Sequence, residues 1–473
     1  MNYKSILFFL GVYAILISIF SILNTLYSIY FNFIIDINSY LLTFLISLLI
    51  GSLFCFIGNK YKKNITLIDQ ISFILISFIF IPLFISIPYF LSIYNFSFLN
   101  SYFESVSGLT GTGFSIIENI NNIDDPLLLW RSSSQWLGGF LFLLATIGTI
   151  GSKQIKIKPA YLVSGGASGT NFYNNFNYNF IKILLIYFFS TIAIIFIYRL
   201  IDIRLLDAFN LGFTTVSAGG FIPSDDLSSI INTNPKIFIL SLTLLFPIFN
   251  FFLLFDFVTK KFTFKNYQED LHLISLIAVL TLFFYFFLVP NDSFIKIFFA
   301  IVSSVSTSGI TTYSSNLDLS LLLILLTIVG GSLISTSSGF KYIRLYILLK
   351  ISYQEIYRLV KPINIIDKNL FNTESQIDDQ DVKIAFLIFI SFIISIFLLS
   401  SLLTLDNLTF EDSFKLSILT LTNTVNSALF GLNNLSFIDL NAFTKVSLII
   451  FMILGKVEII ATVYLIKRLI FKE

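Results

Sequence analysis

Apolar residues fill most of this chain in long runs that short polar connections separate. A helix needs about 20 apolar residues to cross a bilayer core of roughly 30 Å. Ten runs approach that length, near 5–30, 40–58, 70–94, 130–150, 180–199, 236–258, 271–289, 319–349, 382–403 and 444–469. The pattern predicts an all-α, multi-pass membrane protein with ten transmembrane helices, of which the first is a true span rather than a removable signal peptide.

Four of the polar connections share a pattern. Each holds a short amphipathic segment followed by a run of small polar residues. The runs read SGLTGTGFS (107–115), TTVSAGGFI (214–222), SSVSTSGIT (303–311) and TLTNTVNSA (420–428). The segments before them, too short to cross a bilayer, are Leu99–Ser107, Leu206–Phe213, Phe294–Val302 and Asp412–Leu419. We read these as re-entrant half-helices that end at mid-membrane.

The repeat divides the chain into five parts. Two N-terminal helices occupy 1–63, and four units of helix, half-helix, polar loop and helix occupy 64–158, 159–265, 266–361 and 362–473. Irregular backbone at membrane depth is tolerated only inside protein or beside a water-filled cavity. Four half-helices aimed at one axis therefore predict a central pore.

The composition is typical of a membrane protein, and the charges of the connections predict its orientation in the membrane. Of 473 residues, 56% are hydrophobic and only 12% are charged, which excludes an ordinary soluble domain. Alternate connections are basic and acidic, so the positive-inside rule places both termini in the cytoplasm. The basic connections and the C-terminus hold Lys60, Lys62, Lys63, Lys153, Lys156, Lys158, Lys260, Lys261, Lys265, Lys341, Arg344, Lys350, Arg358, Lys361, Lys467, Arg468 and Lys472.

The polar runs predict a site for a monovalent cation. Helix C-termini carry partial negative charge, and Gly, Ser and Thr let a loop turn its carbonyl oxygens inward, where they can replace an ion's hydration shell. The runs contain no acid, Arg or Lys, which disfavours a divalent-cation or anion pore. For any single run, a packing seam between helices is the alternative. The candidate ligands are Thr110, Gly111, Thr112, Gly113, Ser217, Ala218, Gly219, Gly220, Ser306, Thr307, Ser308, Gly309, Asn423, Thr424, Val425 and Asn426.

Six segments carry a resemblance to a known family. They are FESVSGLTGTGFS (103–115), WRSSSQWLGG (130–139), FTTVSAGGF (213–221), VSTSGITT (305–312), GGSLISTSSGFKYIR (330–344) and LGKVEI (454–459). Their order resembles the Trk/Ktr/HKT superfamily of potassium transporters, and within it the TrkH-type translocating subunit. The resemblance implies potassium uptake across the inner membrane through a fourfold pseudosymmetric pore. It also implies a homodimer and a cytosolic ring of nucleotide-binding regulatory subunits (TrkA-like).

Two further features concern conduction. The stretch GGSLISTSSG interrupts the eighth apolar run, and the resemblance implies a gate loop there, with Gly330, Gly331, Ser335 and Gly339 in it. A flexible packing joint is the alternative. Lys456 lies inside the last span, where a fixed charge is costly. The family usually has Arg there, so we expect Lys456 to raise the barrier for potassium, unless it snorkels to an interface.

The fourth run departs from the family pattern. Asn426 stands where the alignment of the four runs and the family pattern place glycine, so we expect conduction with weakened selectivity. The alternative is a sodium-permeable or sodium-coupled transporter of the same architecture. Glu104 and Arg131 are expected to form a structural ion pair near the outer surface. We expect no enzymatic activity, no covalently bound cofactor and no nucleic-acid partner, and regulation by nucleotide must come from another chain.

Overall fold

The fold is taken from a computed structural model of the chain. It describes residues 2–62, 67–150, 172–258, 267–290, 292–312, 319–360, 369–371, 377–406, 408–432 and 435–457. Some expectations fall outside these residues: the basic clusters at 153–158, 260–265 and 467–472, Lys63 and Lys361.

The described chain is all-α. The helices in chain order are α1 Tyr3–Tyr30, α2 Ile34–Gly58, α3 Leu67–Phe90, α4 Phe98–Thr110, α5 Asp125–Ile150, α6 Phe172–Leu200, α7 Leu205–Ser217, α8 Asn234–Thr243, α9 Leu253–Val258, α10 Gln268–Phe283, α11 Phe294–Val305, α12 Ser320–Val329, α13 Tyr342–Val360, α14 Asp379–Thr404, α15 Phe410–Thr422 and α16 Ala442–Val457. A π-helical turn, Phe284–Leu288, continues α10.

Within the described part, six helices are long and apolar enough to cross a membrane: α1, α2, α3, α6, α10 with its π-turn, and α14. They cover six of the ten predicted runs, so the chain is a multi-pass membrane protein. The fourth run lies in α5, whose 26 residues include the polar WRSSSQ segment. The tenth run begins in α16, which the structure describes as far as Val457.

The sixth and eighth runs are interrupted. The predicted interruption of the eighth run is confirmed, because α12 ends at Val329 and α13 begins at Tyr342. The prediction of one continuous sixth span over 236–258 is wrong, since α8 ends at Thr243 and α9 begins at Leu253. Pro247 lies in this second break and has no backbone N–H to continue a helix.

The backbone groups of the two interrupted segments form hydrogen bonds with each other. The Phe251 N–H donates to the Ile334 carbonyl at 2.8 Å, and the Ser332 N–H donates to the Ile248 carbonyl at 2.8 Å. The Ser337 N–H adds a bond to the Pro247 carbonyl at 3.1 Å. Non-helical backbone in an apolar environment must find such partners inside the protein. Each break therefore stabilises the other.

The short helices α4, α7, α11 and α15 pack in a closed order. Each contacts the helix before it and also a helix of the neighbouring unit: α7 packs on α5, α11 on α8, α15 on α12, and α4 on α16. The last of these contacts closes the ring. The units beginning with α3, α6, α10 and α14 therefore follow one another around a centre, with α4 opposite α11 and α7 opposite α15.

Candidate cation site

Three of the four short helices begin at capping side chains, and all four end in left-handed turns. Ser97, Ser293 and Thr409 each accept the backbone N–H of the residue three positions on, which fixes the starts of α4, α11 and α15. At or just after the helix ends, φ is +77° at Gly111, +57° at Ala218, +60° at Thr307 and +50° at Asn423. These turns stop the helices and begin the four polar loops.

The left-handed residues set the register of the loops and correct one sequence alignment. Since Gly111, Ala218, Thr307 and Asn423 occupy equivalent positions, Gly113, Gly220 and Gly309 correspond to Val425 in the fourth loop. The alignment that matched these glycines with Asn426 is off by one residue. The sequence alignment matched small polar residues by their spacing. In the structure, the position where each short helix ends determines which residue adopts the left-handed conformation.

Hydroxyl pairs support the corrected register. Thr110 and Thr112 lie 2.7 Å apart at their Oγ1 atoms, Ser306 and Ser308 2.9 Å apart at Oγ, and Thr422 and Thr424 3.0 Å apart at Oγ1. Each pair flanks a left-handed residue. Thr424 therefore corresponds to Thr112 and Ser308, and Val425 to the glycine that follows each of them.

The four loops meet one another. A Cβ built on Gly113 would lie 2.9 Å from the Gly220 Cα and 3.0 Å from Cγ2 of Val425. A Cβ on Gly220 would lie 3.0 Å from the Ser308 carbonyl oxygen, and one on Gly309 would lie 2.9 Å from the Val425 carbonyl oxygen. These residues are close enough that a methyl group on any of the three glycines would need its neighbours to move. The structure therefore brings the four predicted runs to one place.

Loops one and four are also joined by a side chain. The Asn423 Nδ2 donates to Thr112 Oγ1 at 3.0 Å and to the Met452 carbonyl at 2.9 Å. Asn426 points elsewhere, since its Nδ2 donates to the Leu432 carbonyl at 3.1 Å. Of the two asparagines in the fourth loop, Asn423 is thus the one that contacts another predicted ligand loop.

A buried ion pair braces the first loop. Glu104 accepts Arg131 Nε at 3.0 Å, Ser115 Oγ at 3.0 Å and the Ile116 N–H at 2.9 Å. The Arg131 guanidinium also lies 4.2 Å from the ring centre of Phe221 in the second loop. The predicted pair is confirmed, but its side chains are 0% and 2% exposed, so it is buried rather than near the surface.

We expect Glu104→Gln to destabilise the protein by about 3–5 kcal/mol, because it leaves a buried guanidinium without its carboxylate. Thermal unfolding in detergent measures the change. Asp125→Asn is the matched control, since Asp125 pairs with Arg204 at 2.8 Å, with the arginine side chain 64% exposed; we expect a loss there below about 1 kcal/mol. Equal losses in the two variants would contradict a bracing role for Glu104.

The segment between α12 and α13, residues 330–341, is wrapped around an ammonium group. Lys341 Nζ donates to the carbonyls of Ser332 and Ser335, both at 3.3 Å, to the Ser337 carbonyl at 2.6 Å and to Ser335 Oγ at 3.0 Å. Glu269 accepts the Leu333 N–H at 3.1 Å from outside the segment. The segment is therefore a compact, ordered loop, which we name the 330–341 loop.

This loop contacts the ends of the short helices. Thr336 Oγ1 donates to the Val216 carbonyl at 2.9 Å, and the Ser338 N–H donates to Thr307 Oγ1 at 2.9 Å. Thr307 is a β-branched residue at positive φ, a conformation that needs outside support. The 330–341 loop thus lies directly against the second and third polar loops.

Lys456 joins this loop to the first one. Its Nζ donates to Ser338 Oγ at 2.9 Å and lies 3.6 Å from the position a Cβ on Gly111 would take. The Phe142 ring centre is 4.5 Å away. The side chain is 3% exposed. Lys456 therefore points into the protein, at the C-terminal ends of the short helices, and does not snorkel to an interface.

The predicted site residues fall into two groups in space. Thr110–Gly113, Ser217–Gly220, Ser306–Gly309 and Asn423–Val425 lie in the converging loops, whereas Gly330, Gly331, Ser335 and Gly339 lie in the 330–341 loop. The sequence placed Lys341 in a basic cytoplasmic connection, but its side chain is 3% exposed inside the 330–341 loop. The contacts of Thr336 and Ser338 and the second break were not predicted. Pro247 in the sixth run could have indicated that break. The spacing of residues in the sequence did not indicate the contacts of the Thr336 and Ser338 hydroxyls.

This geometry defines a helical, multi-pass membrane protein in which four helix–loop junctions converge. No family model matches the chain. An uncharacterized cation transporter of Methanocaldococcus jannaschii is 28% identical over 428 residues, which cover 84% of this chain and 82% of the relative. The Trk system potassium uptake protein TrkG of Escherichia coli is 27% identical over 388 residues, 78% of each chain.

A solved structure shares the fold. The crystal structure of the potassium transporter TrkH from Vibrio parahaemolyticus matches with a TM-score of 0.86 and 23% identity, and the match covers 98% of each chain. The chain is therefore similar in sequence to Trk potassium uptake proteins and shares the fold of TrkH, in agreement with the resemblance that the motifs predicted.

Proposed function

We propose that the protein takes up potassium through a pathway whose ion-binding site, named here the filter, is formed by the four converging loops. The observation that carries the proposal is the meeting of four short helices at their C-terminal ends, with residues 110–113, 217–220, 306–309 and 423–425 free of formal charge. Helix C-termini and backbone carbonyls favour a cation, and an uncharged ring suits a monovalent one. The related TrkG and TrkH are potassium uptake proteins by name.

We further propose that the 330–341 loop is the gate. Its bonds to Val216 and Thr307 support this role, because they join it to the last turn of α7 and to the third polar loop. Protonated Lys456 would set a positive charge against Gly111, and its Nζ bonds to the same loop. A cation leaving the filter would meet both the loop and the charge. Movement of the loop would carry Ser338, the hydrogen-bond partner of Lys456, with it.

The assembly follows from the family rather than from the contacts described above. We propose an inner-membrane homodimer with both termini in the cytoplasm, regulated there by a nucleotide-binding ring of TrkA-like subunits. The basic connections between alternate spans support this orientation.

A sodium-permeable or sodium-coupled transporter is the second candidate. One observation favours it: the fourth loop has Val425 where the other three have glycine, so the ring of four loops is not uniform. Unequal loops form a less regular carbonyl cage, and both the size of such a cage and the number of carbonyls in it bear on the choice between potassium and sodium.

Flux in liposomes tests the function. We expect the purified protein, with its regulatory partner and activating nucleotide, to carry rubidium faster than sodium. We also expect it, with that partner, to restore growth at low potassium to cells that lack potassium uptake. A sodium flux equal to or above the rubidium flux would favour the second candidate. Absence of both fluxes would contradict the whole proposal.

A further inference from the structure

Val425 holds a position that glycine holds in the three other loops. Its side chain reaches them: Cγ2 lies 3.0 Å from where a Cβ on Gly113 would stand, and Val425 Cβ lies 2.3 Å from where a Cβ on Gly220 would stand. Its carbonyl oxygen lies against Gly309. Val425 is thus in contact with the equivalent glycine of every other loop.

The contact with Gly220 crosses the centre of the ring. Gly220 follows α7 and Val425 follows α15, and the packing order places these two short helices opposite each other, with α4 and α11 between them. Valine Cβ and Cγ1 both abut Gly220, leaving no space for a methyl group on that glycine. The isopropyl group therefore lies across the path between opposite loops.

A hydrated ion cannot pass an apolar group in contact with the opposite wall. Carbon atoms offer no replacement for the water that the ion must shed, and hydrophobic constrictions close pores by excluding water. Valine is also stiff at χ1, so the side chain cannot swing aside freely without movement of its loop. Passage then requires a shift of the fourth loop relative to the second.

We propose that Val425 forms an apolar constriction in the ion pathway and limits the rate of cation passage through the filter. The proposal rests on the proposed function, because it assigns Val425 a role in that same pathway. The constriction belongs to the fourth loop and is separate from the 330–341 loop, which bonds to Val216 in the last turn of α7 and to Thr307 in the third loop.

Asn426 supplies the matched control. It is adjacent in sequence, it is polar, and its amide donates to Leu432 rather than to another filter loop. Asn426→Gly introduces glycine into the same loop as Val425→Gly does, but it leaves the contacts of Val425 in place. Any effect of glycine on the flexibility of the fourth loop is therefore common to Val425→Gly and Asn426→Gly.

The test compares rubidium and sodium influx into liposomes for the wild type, Val425→Gly, Val425→Thr and Asn426→Gly. We expect Val425→Gly to raise rubidium influx about tenfold and Val425→Thr to raise it by a smaller factor, since threonine keeps the shape of valine but adds a hydroxyl that an ion can contact. Asn426→Gly should stay within about twofold of the wild type. Elution as a single species from a sizing column shows which variants are folded.

The outcomes separate this proposal from the function on which it rests. If the wild type carries rubidium and neither folded Val425 variant exceeds it, or if Asn426→Gly gains as much as Val425→Gly, the constriction is overturned and the uptake function stands. If no protein carries rubidium or sodium, the uptake function fails and the constriction fails with it. Should Val425→Gly misfold, Val425→Thr decides the question alone, because it preserves the volume at the site.

Discussion

Replacing Lys456 with methionine is expected to raise rubidium influx about tenfold or more. Its ammonium is buried against Gly111 and bonded to Ser338. Two unit charges roughly 6 Å apart repel by about 3 kcal/mol at an effective dielectric constant of about 20. Each 1.36 kcal/mol of barrier corresponds to a tenfold change in rate, and water in the pathway screens part of the repulsion. Initial rates of influx into liposomes measure the effect.

Lys456→Arg is the control for charge. Arginine keeps the positive charge and can still donate to Ser338, so its influx should remain close to that of the wild type. If the methionine and arginine variants conducted equally, the barrier would not come from the charge at this position. An increase in both would instead point to the packing of the lysine side chain against Phe142.

The second large effect is expected from Gly138→Ala. This glycine lies on α5 where α5 crosses the last turn of α4, and an added Cβ would lie 1.8 Å from the Leu109 carbonyl oxygen. Backbone cannot move aside as a side-chain end can, so α4 and its loop must shift. Overpacking commonly costs about 1–3 kcal/mol, and we expect the upper end of that range or more, with loss of rubidium influx.

Two other glycines calibrate this prediction. Gly455 on α16 has the same relation to α15, with an added Cβ 2.4 Å from the Leu421 carbonyl oxygen, so Gly455→Ala should behave like Gly138→Ala. At Gly212 the nearest atom is Cγ1 of the Ile195 side chain, at 2.6 Å, which can rearrange. Thermal unfolding in detergent should show a small loss for Gly212→Ala; losses equal to that of Gly138→Ala would contradict the backbone argument.

Hydrophobic length predicts the helices of this fold well where a helix is apolar all round. Helices such as α1 and α14 need no partner to be recognised, because lipid accepts every face. The prediction for the sixth run was wrong because this run has the composition of a membrane span. Its backbone nevertheless leaves the helix near Pro247 and forms hydrogen bonds with the 330–341 loop. A partner about 90 residues away in sequence decides that break, and hydropathy does not report it.

The loops show a similar limit. Their small, uncharged residues pointed to a shared site, and the structure brings the four loops together. The register of the fourth loop could not be obtained from spacing, because both Asn423 and Asn426 can adopt left-handed backbone angles. The structure gives that conformation to Asn423. The residue that departs from glycine in the fourth loop is therefore Val425 and not Asn426. Selectivity between potassium and sodium is then expected to depend on Val425.

Locating the bound ion tests most directly whether the four loops form the cation site. Crystals of the protein grown with thallium in place of potassium allow the cation to be found by its anomalous scattering. We expect a peak between the four loops, coordinated by backbone oxygens of residues in 110–113, 217–220, 306–309 and 423–425. Thallium bound elsewhere in the membrane region, with no peak between these loops, would contradict it.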